Sequence, residues 1–453
     1  MRKTIERMRR RPLLAGVVLL AGGAAGGQAA TLLAQPALTR LYSQADYGVL
    51  AVYMAILSLA TVACGRYEMA VPLPEEDEVA ANLLAVSLIV LVGFALGSGL
   101  VLLAVGPWLA RRLNVPALAP LLWMVPVGLL AAGIYKAIST WAVRRRQYTL
   151  IARTKLSQGI GQAVAQVALG LVGLRPAGLL FGDIVGRSAG SGTLASLAWR
   201  RDLAVFRRVT LSGMRAAAYR YRDFPRVSSL SALLNTAGVQ AAPVLLALFY
   251  QAEVVGTFAL SQRVVIAPIV LVGQAVSQVY FGEMARSLAR NPAGAERMLR
   301  STVRRLAVLA LAPTALLGAF GPALLATLFG AKWREAGIYA QMMAPLAAVQ
   351  FVVWPLSQTL YVLEEQRLQL CWDIGRLTAV AAGIALVGAT RGSAREAVAA
   401  YAATMTAAYG VFLWLAWRGV RRAARRAPAG PEGEGATAAE ALEAAGPVEA
   451  PGG

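Results

Sequence analysis

Charged side chains within otherwise apolar stretches are the residues of this sequence best placed to do chemistry. Asp183 and Arg187 are four residues apart in LLFGDIVGRSAG, so on a helix they share one face and can form an ion pair. Asp373 and Arg376, three apart in CWDIGRL, repeat this arrangement. Arg263 has no acidic residue within one helical turn. A charge at membrane depth costs about 2.5–3.5 kcal/mol on insertion scales, so such residues by default face a cavity or a partner.

Basic residues outnumber acidic ones at these positions. Lys136 also lacks a carboxylate within one turn, but it lies near the end of its stretch, where a long side chain can reach the surface. Together with Arg187, Arg263 and Arg376 it predicts a cationic cavity that binds an anionic diphosphate headgroup, which arginine can hold through two parallel hydrogen bonds. For each acid–base pair, a purely structural lock between helices is an equally good interpretation.

Two further charged residues, Arg66 and Glu68, end the second apolar stretch in GRYEMAVP. They are candidates for a gate on the cytoplasmic side, and an ordinary surface ion pair is the alternative.

Histidine is absent, and the two cysteines, Cys64 and Cys371, lie in apolar stretches. These facts exclude Ser-His catalysis and the usual zinc and disulfide chemistry, so we expect neither an enzyme nor a bound metal or cofactor. Coupling to protons or to sodium stays open. Any coupled protons would have to be carried by carboxylates, for which Asp183 and Asp373 are the candidates.

The composition indicates a membrane protein. Of the 453 residues, 58% are hydrophobic and 15% charged, against roughly 45–50% and 25% in a soluble domain. The net charge of +21 would suggest nucleic acid on a soluble protein, but on a membrane protein basic residues hold the cytoplasmic loops in place. We therefore expect the lipid bilayer, and no nucleic acid, as a partner.

Twelve stretches are long enough to cross a bilayer, which takes about 20 mostly apolar residues. They are 13–35, 48–65, 82–106, 117–140, 156–174, 177–199, 227–250, 255–282, 306–330, 337–363, 368–390 and 396–417. Lys and Arg concentrate in alternate connections, which predicts that both termini are cytoplasmic.

A short internal repeat divides these helices into two sets of six. QPALTRLYSQAD at 35–46 matches APVLLALFYQAE at 242–253, and Gly48 then pairs with Gly256. Both copies fall in the connection after the first helix of their set, so the two halves have parallel topology and a pseudo-two-fold axis along the membrane normal. The first span is then the counterpart of the seventh, so we expect it to be retained rather than cleaved as a signal peptide.

The predicted organisation follows from these boundaries. It comprises a basic cytoplasmic N-terminus (1–11), an N-lobe of helices one to six (12–199), a basic connection along the inner leaflet (200–226), a C-lobe of helices seven to twelve (227–417) and a disordered tail (427–453).

Three segments resemble one family. They are LTRLYSQADYGVLAVYMAILSLATVACGRYEMAVPLPEEDEVAANLL, YRYRDFPRVSSLSALLN and EVVGTFALSQRVVIAPIVLVGQAVSQVYF. Over most of 30–290 the chain is similar to the Wzx-type oligosaccharide-lipid flippases of the multidrug/oligosaccharidyl-lipid/polysaccharide exporter superfamily. The resemblance implies two six-helix lobes around a central cavity, alternating access, and undecaprenyl-diphosphate-linked glycans as substrate. It also implies a place in the bacterial cytoplasmic membrane, in O-antigen, capsule or exopolysaccharide synthesis, beside a polymerase and glycosyltransferases.

Other functions stay open at this point. A flippase for another lipid-linked envelope precursor has the same sequence pattern. A drug/cation antiporter of the same superfamily would have a cavity dominated by carboxylates. A membrane-embedded glycan polymerase would need a long outer loop with catalytic residues, whereas the outer connections here are short.

Reporter fusions test the predicted topology. Fusions at Asn114 and Gly392 should report the outer side of the membrane, and fusions at Gln147 and Asn291 the cytoplasm, because the Lys- and Arg-rich connections stay inside. A reversed signal at any two of these four sites would contradict the twelve-span topology.

Overall fold

The computed structural model describes residues 12–290 and 292–426, and every regular element in these ranges is a helix. The predicted basic segment 1–11, the fusion site Asn291 and the predicted tail 427–453 lie outside the described residues. The predicted all-helical fold is confirmed for the described part of the chain.

The main helices follow one another with short connections. They are α1 (Pro12–Leu33), α2 (Gln44–Ala63), α3 (Asp77–Arg112), α4 (Met124–Arg144), α5 (Tyr148–Leu171), α6 (Ala177–Ser188), α7 (Ser191–Phe206), α8 (Leu211–Arg220), α9 (Ser229–Phe249), α10 (Ala252–Arg290), α11 (Pro292–Phe329), α12 (Arg334–Met342), α13 (Ala344–Leu356), α14 (Gln366–Ala389) and α15 (Ala394–Arg426). Short turns of helix at Gln35–Leu41, Tyr67–Ala70, Pro116–Leu121, Phe224–Ser228, Ala331–Trp333 and Thr359–Val362 lie between them.

Length and composition make eight helices of the described residues apolar enough to cross a membrane, or nine if the pair Ala331–Met342 and Ala344–Val362, bent by 59°, is one span. The spans expected at 13–35, 156–174 and 177–199 are not among them, although α1, an apolar helix of 22 residues, covers most of the first. In 156–174 the reason is polarity, since α5 also carries Arg153, Lys155 and three glutamines. The stretch 177–199 is divided at Gly190, whose φ of 84° interrupts the helix between α6 and α7. The count of twelve spans stays a prediction.

Helix pairing repeats between the two halves. In the first half α1 packs on α5, α3 on α4, and α5 on α6; in the second half α9 packs on α14, α11 on α13, and α14 on α15. If each half contains six spans, as the short sequence repeat predicts, each of these pairs in the first half has its counterpart in the second half. The halves meet chiefly where α2 packs against α9 and α10.

One end of the bundle carries the arginine-rich connections at 144–146 and 207–226 and the arginine-rich last turns of α15 at 418–425, and we call it the basic end. At the opposite end Asn114 donates to the carbonyl oxygens of Ala247 and Leu248, and Tyr250 donates to the carbonyl of Gly392. The connections that contain Asn114 and Gly392 therefore lie together, away from the arginine-rich ones.

The two halves close tightly at this opposite end. Trp333 Nε1 donates to the carbonyl of Thr39 at 3.0 Å, Lys332 Nζ donates to the carbonyl of Tyr42 at 2.8 Å, and Gln44 Nε2 donates to the carbonyl of Lys332 at 2.8 Å. We call this end, which is formed by residues 39–48, 252–256 and 332–333, the sealed end.

A crossing of two glycines completes the sealed end. A Cβ on Gly48 would lie 2.0 Å from the carbonyl oxygen of Ala252, and one on Gly256 would lie 1.8 Å from that of Gln44. Real Cβ contacts essentially never fall below 3.0 Å, so α2 and α10 can cross this closely only where both lack side chains. These are the two glycines that the sequence repeat pairs.

Candidate functional site

A cavity of about 1690 Å³ lies between the N-lobe and α10. Small and polar residues form most of its wall, and five charged side chains from the described part of the chain face it: Lys136, Lys155, Asp183, Arg187 and Arg263. Its volume exceeds the roughly 300–1,000 Å³ of a site for a drug-sized ligand. The wall runs from Arg263 and Asp183 in the middle of the bundle to Ser139 and Phe281 near the basic end, while the other end is sealed.

Arg263 is half-buried on the cavity wall. Its helix is fixed by its neighbours, because Ser261 Oγ donates to the carbonyl of Ala336 at 2.7 Å and Gln262 Nε2 donates to Tyr401 Oη at 3.3 Å. These bonds hold one face of α10 against α12 and α15, the other helices of the second half that it contacts here. Arg263 lies on the cavity side of α10. Within the described residues its guanidinium has neither an ion-pair nor a hydrogen-bond partner.

Asp183 and Arg187 form the ion pair that their spacing predicts, with Arg187 Nε 2.6 Å from Asp183 Oδ2. Asp183 is buried, whereas the Arg187 side chain stays 30% exposed and also contacts Met54 Sδ at 3.2 Å. Gly182 and Gly186 bring α6 close to α5, since a Cβ on Gly182 would lie 2.2 Å from Cγ of Gln166. The pair therefore neutralises Asp183 and leaves part of the Arg187 guanidinium accessible to a ligand.

Lys136 has a partner that its local sequence does not show. Its Nζ lies 2.8 Å from Oε1 of Glu68, which comes from the turn after α2. The sequence shows no carboxylate within one turn of Lys136, and this partner comes from another element, because spacing reveals only partners on the same helix. Lys136 still lines the cavity, and its side chain is 35% exposed.

Arg66 and Glu68 do not pair with each other. Arg66 has a left-handed backbone, with φ of 53°, which ends the helical phase and sends the two side chains in different directions. Arg66 Nη1 donates to the carbonyl of Ser228, just before α9, at 3.2 Å. This bond joins the two halves at the basic end, where a gate would have to act, and the gate itself stays a prediction.

Lys155 is a cavity residue that the sequence reasoning missed. Its Nζ lies 4.6 Å from the ring centroid of Tyr135 and donates to Oε1 of Gln158 at 3.2 Å, without a carboxylate partner in the described residues. The span expected at 156–174 begins just after Lys155, but α5 begins at Tyr148 and includes it. The spacing of Lys155, Gln158 and Gln162 along one helix face is the signal that could have found it.

Arg376 and Asp373 pair as predicted, at 3.1 Å, but they do not line the cavity. Arg376 is buried in the second half, where its guanidinium lies 4.8 Å from the ring centroid of Trp372 and 3.5 Å from Oδ1 of Asn235. Asp373 also accepts from Gln369 at 3.1 Å. The pair connects α14 to α9, and this placement separates Arg376 from the cavity cations with which it was grouped.

Among the described residues, the charges of the cavity wall are four cations and one carboxylate. Asp183 offsets Arg187, and Glu68 offsets Lys136 from beside the cavity, so Lys155 and Arg263 stay without an acidic partner among the described residues. The described residues contain no group of three or more His, Cys, Asp or Glu side chains that could hold a metal ion. The arrangement can bind a ligand with at least two negative charges.

A helical bundle of two similar halves, with a large cavity open toward one end and sealed at the other, is an architecture that multi-pass membrane proteins adopt. Solved structures share the fold. A multidrug-resistance MATE family transporter of the MOP superfamily, in an inward-facing conformation, has a TM-score of 0.62 at 15% identity over 90% of this chain and 96% of its own.

A MOP superfamily transporter from Pyrococcus furiosus, described by the reversed polarity of its binding pocket, has a TM-score of 0.57 at 16% identity, over 90% of this chain and 96% of its own. A eukaryotic MATE transporter has a TM-score of 0.54 at 11% identity, over 91% and 98%. At these identities the similarity establishes the fold.

The sequence identifies the family more closely. The polysaccharide biosynthesis protein family matches residues 37–337, and the chain belongs to this family. No curated protein sequence matches it. The predicted relationship to a polysaccharide-biosynthesis family is confirmed.

Proposed function

We propose that the protein is a flippase that moves an undecaprenyl-diphosphate-linked oligosaccharide across the bacterial cytoplasmic membrane by alternating access. The excess of cations in the cavity carries this proposal, above all Lys155 and Arg263, which lack acidic partners among the described residues. A diphosphate offers the opposite charge and several oxygens to accept hydrogen bonds, which a guanidinium binds in pairs. The large cavity would hold the glycan, while the polyprenyl tail stays in the lipid.

The charge of the cavity also favours this function over a drug/cation antiporter. A cavity that binds organic cations needs unpaired carboxylates, whereas the one acid that the described residues place on this wall, Asp183, is buried and paired with Arg187. Reversed pocket polarity in the transporter from Pyrococcus furiosus suggested a different function for that protein, and the same reasoning applies to the cationic cavity here.

In this proposal both termini are cytoplasmic, so the cavity of the present conformation opens to the cytoplasm. The substrate would enter there after glycosyltransferases complete it, and the sealed end would open to deliver it to a polymerase outside. Of the two acids proposed to couple transport to protons or sodium, Asp183 lies on the cavity wall and Asp373 does not. Asp183 is therefore the better candidate.

Reconstitution tests the proposed function. Purified protein in vesicles should transfer a lipid-linked diphosphate oligosaccharide between leaflets, measured by its accessibility to an enzyme added outside. The same glycan on a monophosphate lipid should be transferred more slowly, because it carries less charge. Export of a cationic dye without any transfer of the lipid-linked glycan would support the antiporter instead.

A further inference from the structure

A second, smaller cavity lies on the outside of the bundle, between α11 and α15. Its volume is about 390 Å³, within the range of roughly 300–1,000 Å³ that ligand sites occupy. The wall consists of Leu299, Arg300 and Val303 from α11 and Gly410, Leu413, Trp414 and Trp417 from α15. We call it the α11–α15 groove.

The spacing of these residues explains why a groove forms. Gly410, Leu413, Trp414 and Trp417 follow the i, i+3, i+4, i+7 pattern, so they share one face of α15. A Cβ on Gly410 would meet nothing within 4 Å, so the missing side chain leaves open space at this point. The rings of Trp414 and Trp417 are 50% and 37% exposed and form the rim.

Polarity changes along the groove in the direction of the membrane normal. Val303, Gly410 and Leu413 lie deepest, because α11 begins and α15 ends at the basic end. The tryptophans come next, at a depth where indole rings prefer the membrane–water interface. Arginines follow on the next turn toward the basic end. Toward the basic end, the apolar wall of the groove is thus followed by a basic rim, in the same order as the acyl chains and the headgroup of a lipid.

The basic rim has more positive than negative charge. The guanidinium of Arg418 lies 5.1 Å from the ring centroid of Trp414, and that of Arg421 lies 4.7 Å from that of Trp417. Glu296 accepts from Arg300 at 3.3 Å and lies 3.7 Å from Arg421, so one carboxylate serves two arginines. Three guanidiniums against one carboxylate leave room for a phosphate with a net negative charge.

We propose that the α11–α15 groove binds an anionic phospholipid of the surrounding bilayer. One acyl chain lies along Val303, Gly410 and Leu413, and the phosphate of the headgroup contacts Arg300, Arg418 and Arg421. Charge selects an anionic over a zwitterionic lipid, since basic residues at the membrane surface attract anionic headgroups. This site is separate from the transport cavity and does not depend on the transported substrate.

Native mass spectrometry of the purified full-length protein with added lipid tests the proposal. Wild-type protein should retain phosphatidylglycerol more strongly than phosphatidylcholine, and the double variant Arg300→Gln/Arg421→Gln should lose roughly tenfold in affinity for phosphatidylglycerol. Arg286→Gln is the matched control, because Arg286 is an exposed arginine near the basic end that pairs with Glu283 of its own helix at 2.9 Å.

Gly410→Leu provides a second test that keeps every charge. Its side chain enters open space, so the variant should fold normally while it fills the groove and lowers the retention of both lipids. Gly282→Leu, at another helical glycine with nothing within 4 Å, is the control. Equal retention of the two lipids by the wild type, unchanged retention by both groove variants, or displacement of phosphatidylglycerol by an equal amount of undecaprenyl phosphate would overturn the proposal.

Discussion

Arg263→Ala should abolish transport while the protein still inserts and accumulates. The guanidinium has no ion-pair or hydrogen-bond partner in the described part of the chain, so its removal leaves no acid unpaired and breaks no ion pair or hydrogen bond between helices there. Loss of hydrogen bonds to a charged diphosphate, worth about 3 kcal/mol for a bidentate pair, lowers substrate affinity about a hundredfold. Transport and membrane abundance should be measured in the same strains, together with the accumulation of lipid-linked glycan.

Two variants sharpen this test. Arg263→Lys should retain part of the activity, because lysine keeps the charge and loses the planar fork. Arg286→Ala is the control on the same helix, where an exposed arginine pairs with Glu283, and it should transport normally. Normal transport by a well-expressed Arg263→Ala protein would eliminate the binding role.

An alternative role for Arg263 as a helix lock finds little support in the structure. Such a lock would need Asp183 or Asp373 as its partner, and these acids already pair with Arg187 and Arg376. The lock would also require the abundance of Arg263→Ala to fall and to recover when the partner acid is removed. The experiment therefore separates the two roles by abundance as well as by transport.

Local spacing in the sequence predicted those features of the site that lie within one helix. Asp183 with Arg187, and Asp373 with Arg376, are ion pairs because residues three or four apart share a helix face. The same rule cannot tell which face points to the cavity when a helix is apolar on all sides. Asp183 therefore lies on the cavity wall, whereas Asp373 lies inside the second half, although their sequence patterns are alike.

Contacts distant in sequence were beyond this reasoning. Lys136 pairs with Glu68 across two helices, and the left-handed backbone of Arg66 turns it away from Glu68. Lys155 was missed because hydropathy places the start of a span at the first apolar run, whereas α5 begins earlier, at Tyr148. Where a helix begins with polar residues, the start that hydropathy predicts lies after the start of the helix in the structure.

The fold was more predictable, because apolar length and the basic connections mark the helices directly. The repeat also identified Gly48 and Gly256 as equivalent positions, although nothing in their local sequence explains why each is a glycine. The reason is their mutual contact at the sealed end, which only the packing of α2 on α10 reveals.

Gly256→Val should prevent the sealed end from closing. The new side chain would start 1.8 Å from the carbonyl oxygen of Gln44, a backbone atom that cannot swing aside as a flexible side chain can. The helices α2 and α10 would have to move apart, and the hydrogen bonds of Lys332 and Trp333 to the first half would be strained or broken. Gly48→Val should have the same effect, because its Cβ would meet the carbonyl oxygen of Ala252 at 2.0 Å.

Access from outside measures this closure. In a protein without Cys64 and Cys371, a single cysteine replaces Thr31 on the cavity wall, and a membrane-impermeant maleimide is added outside. The cysteine should be protected in the otherwise unchanged protein and react in Gly256→Val, which should also lose transport because alternating access needs both closed states. Gly282→Val is the control on the same helix, since a Cβ there meets nothing within 4 Å.

A Gly256→Val protein that accumulates, stays protected and transports normally would show that the glycine crossing does not form the seal. Labelling confined to the two crossing variants would instead establish that closure of the cavity depends on the absence of two side chains, one in each half of the repeat.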